Sequence, residues 1–104
     1  MQNAAVRLTA PHVLKKSPNI VERKIYSSYF LIDITDNYSE NKCSLYEIND
    51  VGSFIWNGID GHRTITDIAV MLQNAIIDEV ELQILINDIC EFADSLMSKR
   101  FVEV

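Results

Sequence analysis

The chain has 104 residues, 48% of them hydrophobic and 23% charged, a length and composition that suit one soluble globular domain without metal or disulfide staples. With 15 Asp and Glu against 9 Lys and Arg, the net charge is -6, which opposes non-specific attraction to nucleic acid or an anionic membrane. No apolar run reaches bilayer length, no secretory signal opens the chain, and Cys43 and Cys90 are too far apart for a CxxC pair, so a reduced, cytoplasmic setting is expected.

Residues 1–18 read as a lead-in arm. Pro11 and Pro18 discourage regular structure and Lys15-Lys16-Ser17 is polar, which predicts an irregular or partly extended, loose terminus. Three strands follow. In residues 20–26, Val21 and Ile25 share a face with Arg23, while Glu22 and Lys24 take the other. Ser27-Ser28 suits a tight connection. Residues 29–35 alternate most clearly, with Phe30, Ile32 and Ile34 on one face and Asp33 and Thr35 on the other. Residues 36–41 are rich in turn formers, and residues 42–46 make a shorter third strand with Cys43 and Leu45 facing one way. Such a meander needs one face covered, and the helices that follow are the only candidates.

From residue 45 the hydrophobic period turns from strand-like to helix-like. Asn49 or Asp50 offers a side-chain oxygen to the first N–H groups of a helix. Val51, Phe54 and Ile55 fall at helical spacing, with Trp56 widening the apolar face. Asp60-Gly61 is expected to end that helix, glycine supplying a positive φ. A second helix starts at Thr64, where Asp67 three residues on completes an approximate capping box. Its stripe is Ile65, Ile68, Ala69, Leu72, Ala75 and Ile76. A third helix is expected from about Asp78, with acidic residues at its start and Lys99-Arg100 at its end. Leu82, Leu85, Ile86, Ile89, Phe92, Ala93, Leu96 and Met97 form its core stripe, leaving Val80 and Ile84 on the opposite side with Asp88, Glu91 and Ser95. By spacing alone those two are ordinary exposed apolar residues. Phe101 to Val104 suits a terminal strand.

A search for chemistry returns little. His12 and His62 stand in no metal-like cluster. The two cysteines have no nearby cation to make a thiolate, and neither a nucleophile motif nor a phosphate-cradling glycine loop is present. No catalytic residue, metal ligand or cofactor is assigned, and the sequence argues against an enzyme.

One resemblance organises these elements. Leu45-Tyr46-Glu47-Ile48-Asn49-Asp50-Val51-Gly52, followed by Phe54-Ile55-Trp56 and Asp60-Gly61, resembles the signature of the PqqD family, the recognition element of pathways that make ribosomally synthesised, post-translationally modified peptides. The agreement runs outward through Asn19-Ile20-Val21 with Arg23, Leu31-Ile32-Asp33, Thr64-Ile65-Thr66-Asp67-Ile68, and Asp88-Ile89 with Phe92, Leu96 and Phe101. Ile48 stands where the family usually has Leu, and the connections at residues 27–28 and 36–41 lack the usual glycine.

The resemblance implies an α+β, winged helix-turn-helix-like fold: a three-stranded antiparallel sheet followed by three helices, with an arm at 1–18 and the domain at 19–104. It implies binding of a precursor's leader segment, which adds as a strand to the third strand and lies between that strand and the last helix. The precursor is then presented to a modifying enzyme, often a radical S-adenosylmethionine protein, and the family member performs no chemistry itself. Carried onto this chain, the peptide-binding residues are Lys42, Cys43, Ser44, Leu45 and Tyr46 on the strand, and Ile84, Asp88, Glu91 and Phe92 on the helix. Main-chain hydrogen bonds at an open edge supply affinity, and side-chain pockets supply selectivity. Two alternatives share the architecture. A structural module could pair with itself through the same edge to form a homodimer. A winged-helix DNA-binding protein would need a basic recognition helix, which neither later helix supplies.

Overall fold

The chain enters the fold through its arm. A computed structural model describes residues 8–34 and 45–104, and in it Leu8 and Leu14 are core residues, 4% and 1% exposed. The expectation of a loose terminus is therefore corrected for the described part of the arm. The reason is a hydrogen-bond supply that sequence pattern does not reveal. Ala10 and His12 present carbonyls to the N–H groups of Thr66 and Ile65, and Leu14 accepts from Gly61. Two of those donors belong to a helix's first turn, where no carbonyl of the helix itself is available. The arm then forms β1 (Lys15–Lys16), paired antiparallel with a C-terminal strand, β5 (Val102–Glu103). The terminal strand is as the sequence predicts.

The main sheet runs β2 (Ile20–Ile25), β3 (Ser28–Asp33) and β4 (Leu45–Ile48), antiparallel in that order. The first connection is Tyr26-Ser27, one residue earlier than expected, because Ile25 pairs with Ser28. Tyr26 adopts φ 57, a left-handed conformation that glycine takes at lower cost. Residues 35–44 lie outside the described residues, and with them the expected connection at 36–41 and Lys42, Cys43 and Ser44.

The sheet turns an unexpected face to the helices. Register places Tyr29 and Leu31 of β3 beside Ile48 and Tyr46 of β4, and Leu31 is completely buried while Ile20 and Ile48 are nearly so. Phe30 and Ile32, half-buried, share the outer face with Leu45. Both faces of this segment are apolar at period two, so alternation alone cannot choose between them.

Three helices cover the inner face: α1 (Asp50–Gly58), α2 (Ile65–Ala75) and α3 (Leu82–Ser98). The sheet followed by three helices is the α+β arrangement the sequence predicts. Asn49 caps α1, its side chain accepting from the Gly52 N–H at 2.8 Å. The helix buries Ile55 and Trp56 but leaves Val51 exposed, and it ends at Gly58 with Ile59 extended. Gly61 does have φ +82, but it serves the following turn and not the helix cap. That turn is closed by Asp60, whose carboxylate accepts from the His62 and Arg63 N–H groups at 2.9 and 2.8 Å. Thr64 and Asp67 form the full reciprocal capping box of α2. Ile65, Ile68 and Leu72 are buried there, each worth about 1.5–3 kcal/mol relative to exposure, while Ala75 is exposed.

The start of α3 corrects a further expectation. The helix begins at Leu82, not Asp78, and Glu81 makes no side-chain cap bond. Gln73 of α2 donates its side-chain amide to the Val80 carbonyl at 3.0 Å, and Val80 packs against the core. Val80 thus belongs to the core and not to the polar face. Leu85, Ile86, Ile89, Ala93 and Leu96 form the buried stripe.

At its C-terminus α3 closes in a Schellman motif. The Arg100 N–H donates to Met97 and the Phe101 N–H to Leu96, both at 2.9 Å, with Arg100 at φ 64. This reversal drives Phe101 back into the core, 5% exposed, and leads the chain into β5.

Candidate functional site

Among the described residues β4 is hydrogen-bonded along one edge only. Its pairs are Tyr29 with Ile48, Phe30 with Glu47, Leu31 with Tyr46 and Ile32 with Leu45, and it stands last in the sheet order among the described residues. The free edge carries a row of backbone donors and acceptors, the arrangement to which an extended peptide adds.

The inner side of that edge faces α3, and two links fix their relative placement. At one end, Tyr46 meets Phe101 edge-to-face at 6.1 Å between ring centroids, and Lys99 lays its Nζ 4.9 Å from the Tyr46 ring centroid. At the other, Gly52 sits so close that a Cβ there would lie 3.1 Å from the Ile48 Cβ and 3.3 Å from the Phe92 Cζ. Gly52 is required by close approach, since its φ is not in the left-handed region. It lets the Phe92 ring reach the foot of β4, so that β4 and α3 run in opposite directions along a groove.

The helical wheel places the remaining candidates. At about 100° per residue, Lys99 and Asp88 fall within roughly 40° of Phe92, and Ser95 and Ile84 within roughly 80°. Ile84 is 48% exposed, and Asp88 is exposed. Glu91 lies further round, on the rim of a different cleft. That cleft, about 600 Å³, runs between the arm and α3 and is lined by Leu8, Ala10, Ile86, Asn87, Cys90 and Glu91 among others. Of the sequence-selected residues, then, Tyr46, Phe92, Asp88 and Ile84 share the groove side. Leu45 contributes its backbone to the edge and points its side chain to the outer face, 52% exposed. Glu91 stands apart.

Three contributors are not among the sequence-selected site residues. Gly52 enters the sequence reading only as part of the family signature, Lys99 only as a charge at a helix end, and Arg100 likewise. Lys99 falls seven residues after Phe92, two helical turns, so the wheel alone could have found it. The roles of Gly52 and Arg100 depend on which backbones meet, and no local signal marks them.

The titratable groups elsewhere are structural. Burial and the charge of Asp94 push the Cys90 thiol pKa up, which leaves it protonated and a poor nucleophile. Hydrogen bonds from Arg63 and His62 hold the Asp60 carboxyl below its ordinary range. Burial lowers the Lys16 ammonium against the opposing pull of Glu22 and Asp60, and its Nζ lies 4.9 Å from the Trp56 ring centroid. Glu22 in turn accepts from Ser53 Oγ at 2.5 Å and Asn57 Nδ2 at 3.1 Å, tying β2 to α1. Among the described residues no cluster of His, Cys, Asp and Glu could hold a metal, and no helix is long and apolar enough to cross a membrane.

Residues 38–102 match the family model described as coenzyme PQQ synthesis protein D, PqqD. The chain belongs to the PqqD family. The matched region contains both walls of the groove, β4 and α3. Solved structures share the fold of this PqqD-family chain at low identity. The PqqD truncation of Methylobacterium extorquens PqqCD, described as a stand-alone RiPP recognition element, aligns with a TM-score of 0.72 and 18% identity, over 93% of this chain and 95% of that one. A lasso peptide synthetase B1 complexed with the leader peptide aligns at 0.70 and 18%, over 89% and 100%. TbiB1 in complex with the TbiA(beta) leader peptide aligns at 0.67 and 19%, over 86% and 94%. No curated protein matches the chain by sequence.

Proposed function

We propose that this PqqD-family chain binds the leader segment of a ribosomally synthesised precursor peptide by strand addition to β4 and presents it to a modifying enzyme. The observation that carries the reading is the β4 edge, unpaired among the described residues, beside a wall of α3. An extended peptide there gains main-chain hydrogen bonds without a fixed sequence, while Tyr46, Phe92 and Ile84 offer apolar contact that selects among peptides. Two of the structural neighbours were solved with leader peptides bound, which supports the same use of this fold here. The chain acts in the cytoplasm, contributes no catalytic group or cofactor, and its partner enzyme is of the radical S-adenosylmethionine class.

The test is a titration of the labelled protein against leader peptides encoded beside its gene, read by amide shifts. Saturable binding tighter than ~1 mM, about 4 kcal/mol, with the largest shifts at residues 45–48 and loss on scrambling, is the expected result. Absence of binding with the domain folded overturns it. The same open edge suits self-pairing, and a mass that doubles with concentration, with no peptide response, would favour that second reading.

A further inference from the structure

The groove is polar along its length, and that polarity selects the charge order of its ligand. Asp88 stands on the α3 wall before Phe92, and Lys99 stands after it, held over Tyr46 at the far end of β4. Ile48 lies near Phe92 and Tyr46 near Lys99, so β4 and α3 run in opposite directions. A peptide pairing antiparallel to β4, as every strand in this sheet pairs with its neighbour, has the more favourable hydrogen-bond geometry. It then runs in the same direction as α3 and passes Asp88 before Lys99.

We propose that the groove selects leaders carrying a basic residue upstream and an acidic residue downstream of an apolar centre, reading this order through Asp88 and Lys99. The proposal rests on strand addition at β4. Its spacing follows from geometry. Eleven helical positions span about 16 Å, and an extended chain covers that in about five residues. Side chains of a strand alternate between faces, so the two charges that both face α3 are about four or six residues apart. The centre meets Phe92 and the Tyr46 ring, and Ile84, 48% exposed, extends the apolar wall at the upstream end.

The probes are two synthetic peptides of identical composition. One carries lysine upstream and glutamate downstream at that spacing, with leucine at the groove-facing positions between and threonine at the outward ones. The other exchanges the two charges. Amide shifts of β4 report strand addition and give each affinity. The expected result is about threefold to tenfold tighter binding of the lysine-first peptide at low salt, narrowing as salt screens the exposed pairs. In the Asp88→Lys/Lys99→Glu double variant the preference reverses, and both positions are exposed, so the fold is retained as checked by its melting curve. Equal affinities for the two peptides, with β4 shifts intact, overturn the charge-order inference and leave strand addition standing. Absence of β4 shifts with either peptide and with the encoded leaders overturns strand addition, and the inference with it.

Discussion

The two flanks of α3 differ in what their neighbouring backbone has left to give. On the arm side lies a cleft of about 600 Å³, yet the arm's carbonyls at Ala10, His12 and Leu14 are already engaged with Thr66, Ile65 and Gly61. On the β4 side the strand keeps a whole edge unpaired among the described residues. A peptide lying on the arm side meets backbone already engaged at those three positions, whereas one lying on β4 adds a ladder of main-chain bonds. Unspent main-chain hydrogen bonds mark the better peptide site.

The comparison can be broken from the arm side first. Leu14→Ala removes a side chain that is 1% exposed and is expected to cost about 2–5 kcal/mol, measured by urea unfolding. Leader affinity per folded molecule should change less than about twofold, since Leu14 is not on the groove side. Gly52→Ala tests the opposite flank. Its new Cβ meets the Ile48 Cβ at 3.1 Å, which cannot swing aside, so a loss of about 1–3 kcal/mol is expected. Leader affinity should also fall about tenfold as Phe92 is displaced, a second effect that calorimetric titration separates from the first.

A direct contrast uses two exposed residues of one helix. Ile84→Ala should weaken leader binding about threefold to tenfold, in line with an apolar side chain partly buried on binding, while Asp94→Ala, in the lining of the arm-side cleft and about 160° round the helix from Phe92, should change it less than about twofold. Equal effects from the two would erase the distinction between the flanks.

The smaller effects concern turns. Asp60 has a lowered carboxyl pKa in the folded chain, so the unfolded chain binds the proton more readily. Its contribution is complete above the ordinary carboxylate pKa and is lost as pH falls through the lower folded value. Melting temperature against pH should therefore fall less steeply in acid for Asp60→Asn than for the parent. Tyr26 is 96% exposed at φ 57, so Tyr26→Gly relieves backbone strain without losing a packed side chain and should stabilise by about 0.5–1 kcal/mol in urea.

Much of this design was legible because it is local. Asn49 and Thr64 announce helix starts through their own side chains and the N–H groups three residues on, and the stripe from Leu85 to Leu96 follows from 3.6-residue periodicity. The four elements from β2 to α1 could be placed in order, and Tyr46, Ile84, Asp88 and Phe92 could be nominated by resemblance. Errors gathered where distant segments compete for the same groups. Asp78 and Glu81 look like caps, but Gln73 claims the Val80 carbonyl and delays α3 to Leu82. Gly61 looks like a helix stop, but the arm takes its N–H through Leu14.

By itself the sequence determined the element order, two of the helix caps and the residues able to form a groove, since each depends on neighbours a few positions apart. Only the tertiary structure decided which face of β3 is buried, that the arm joins the core, and that the arm leaves a cleft along α3 with Glu91 on its rim. Those outcomes depend on strand register and on which backbone carbonyls are spent, and both are settled between residues that lie far apart in the chain.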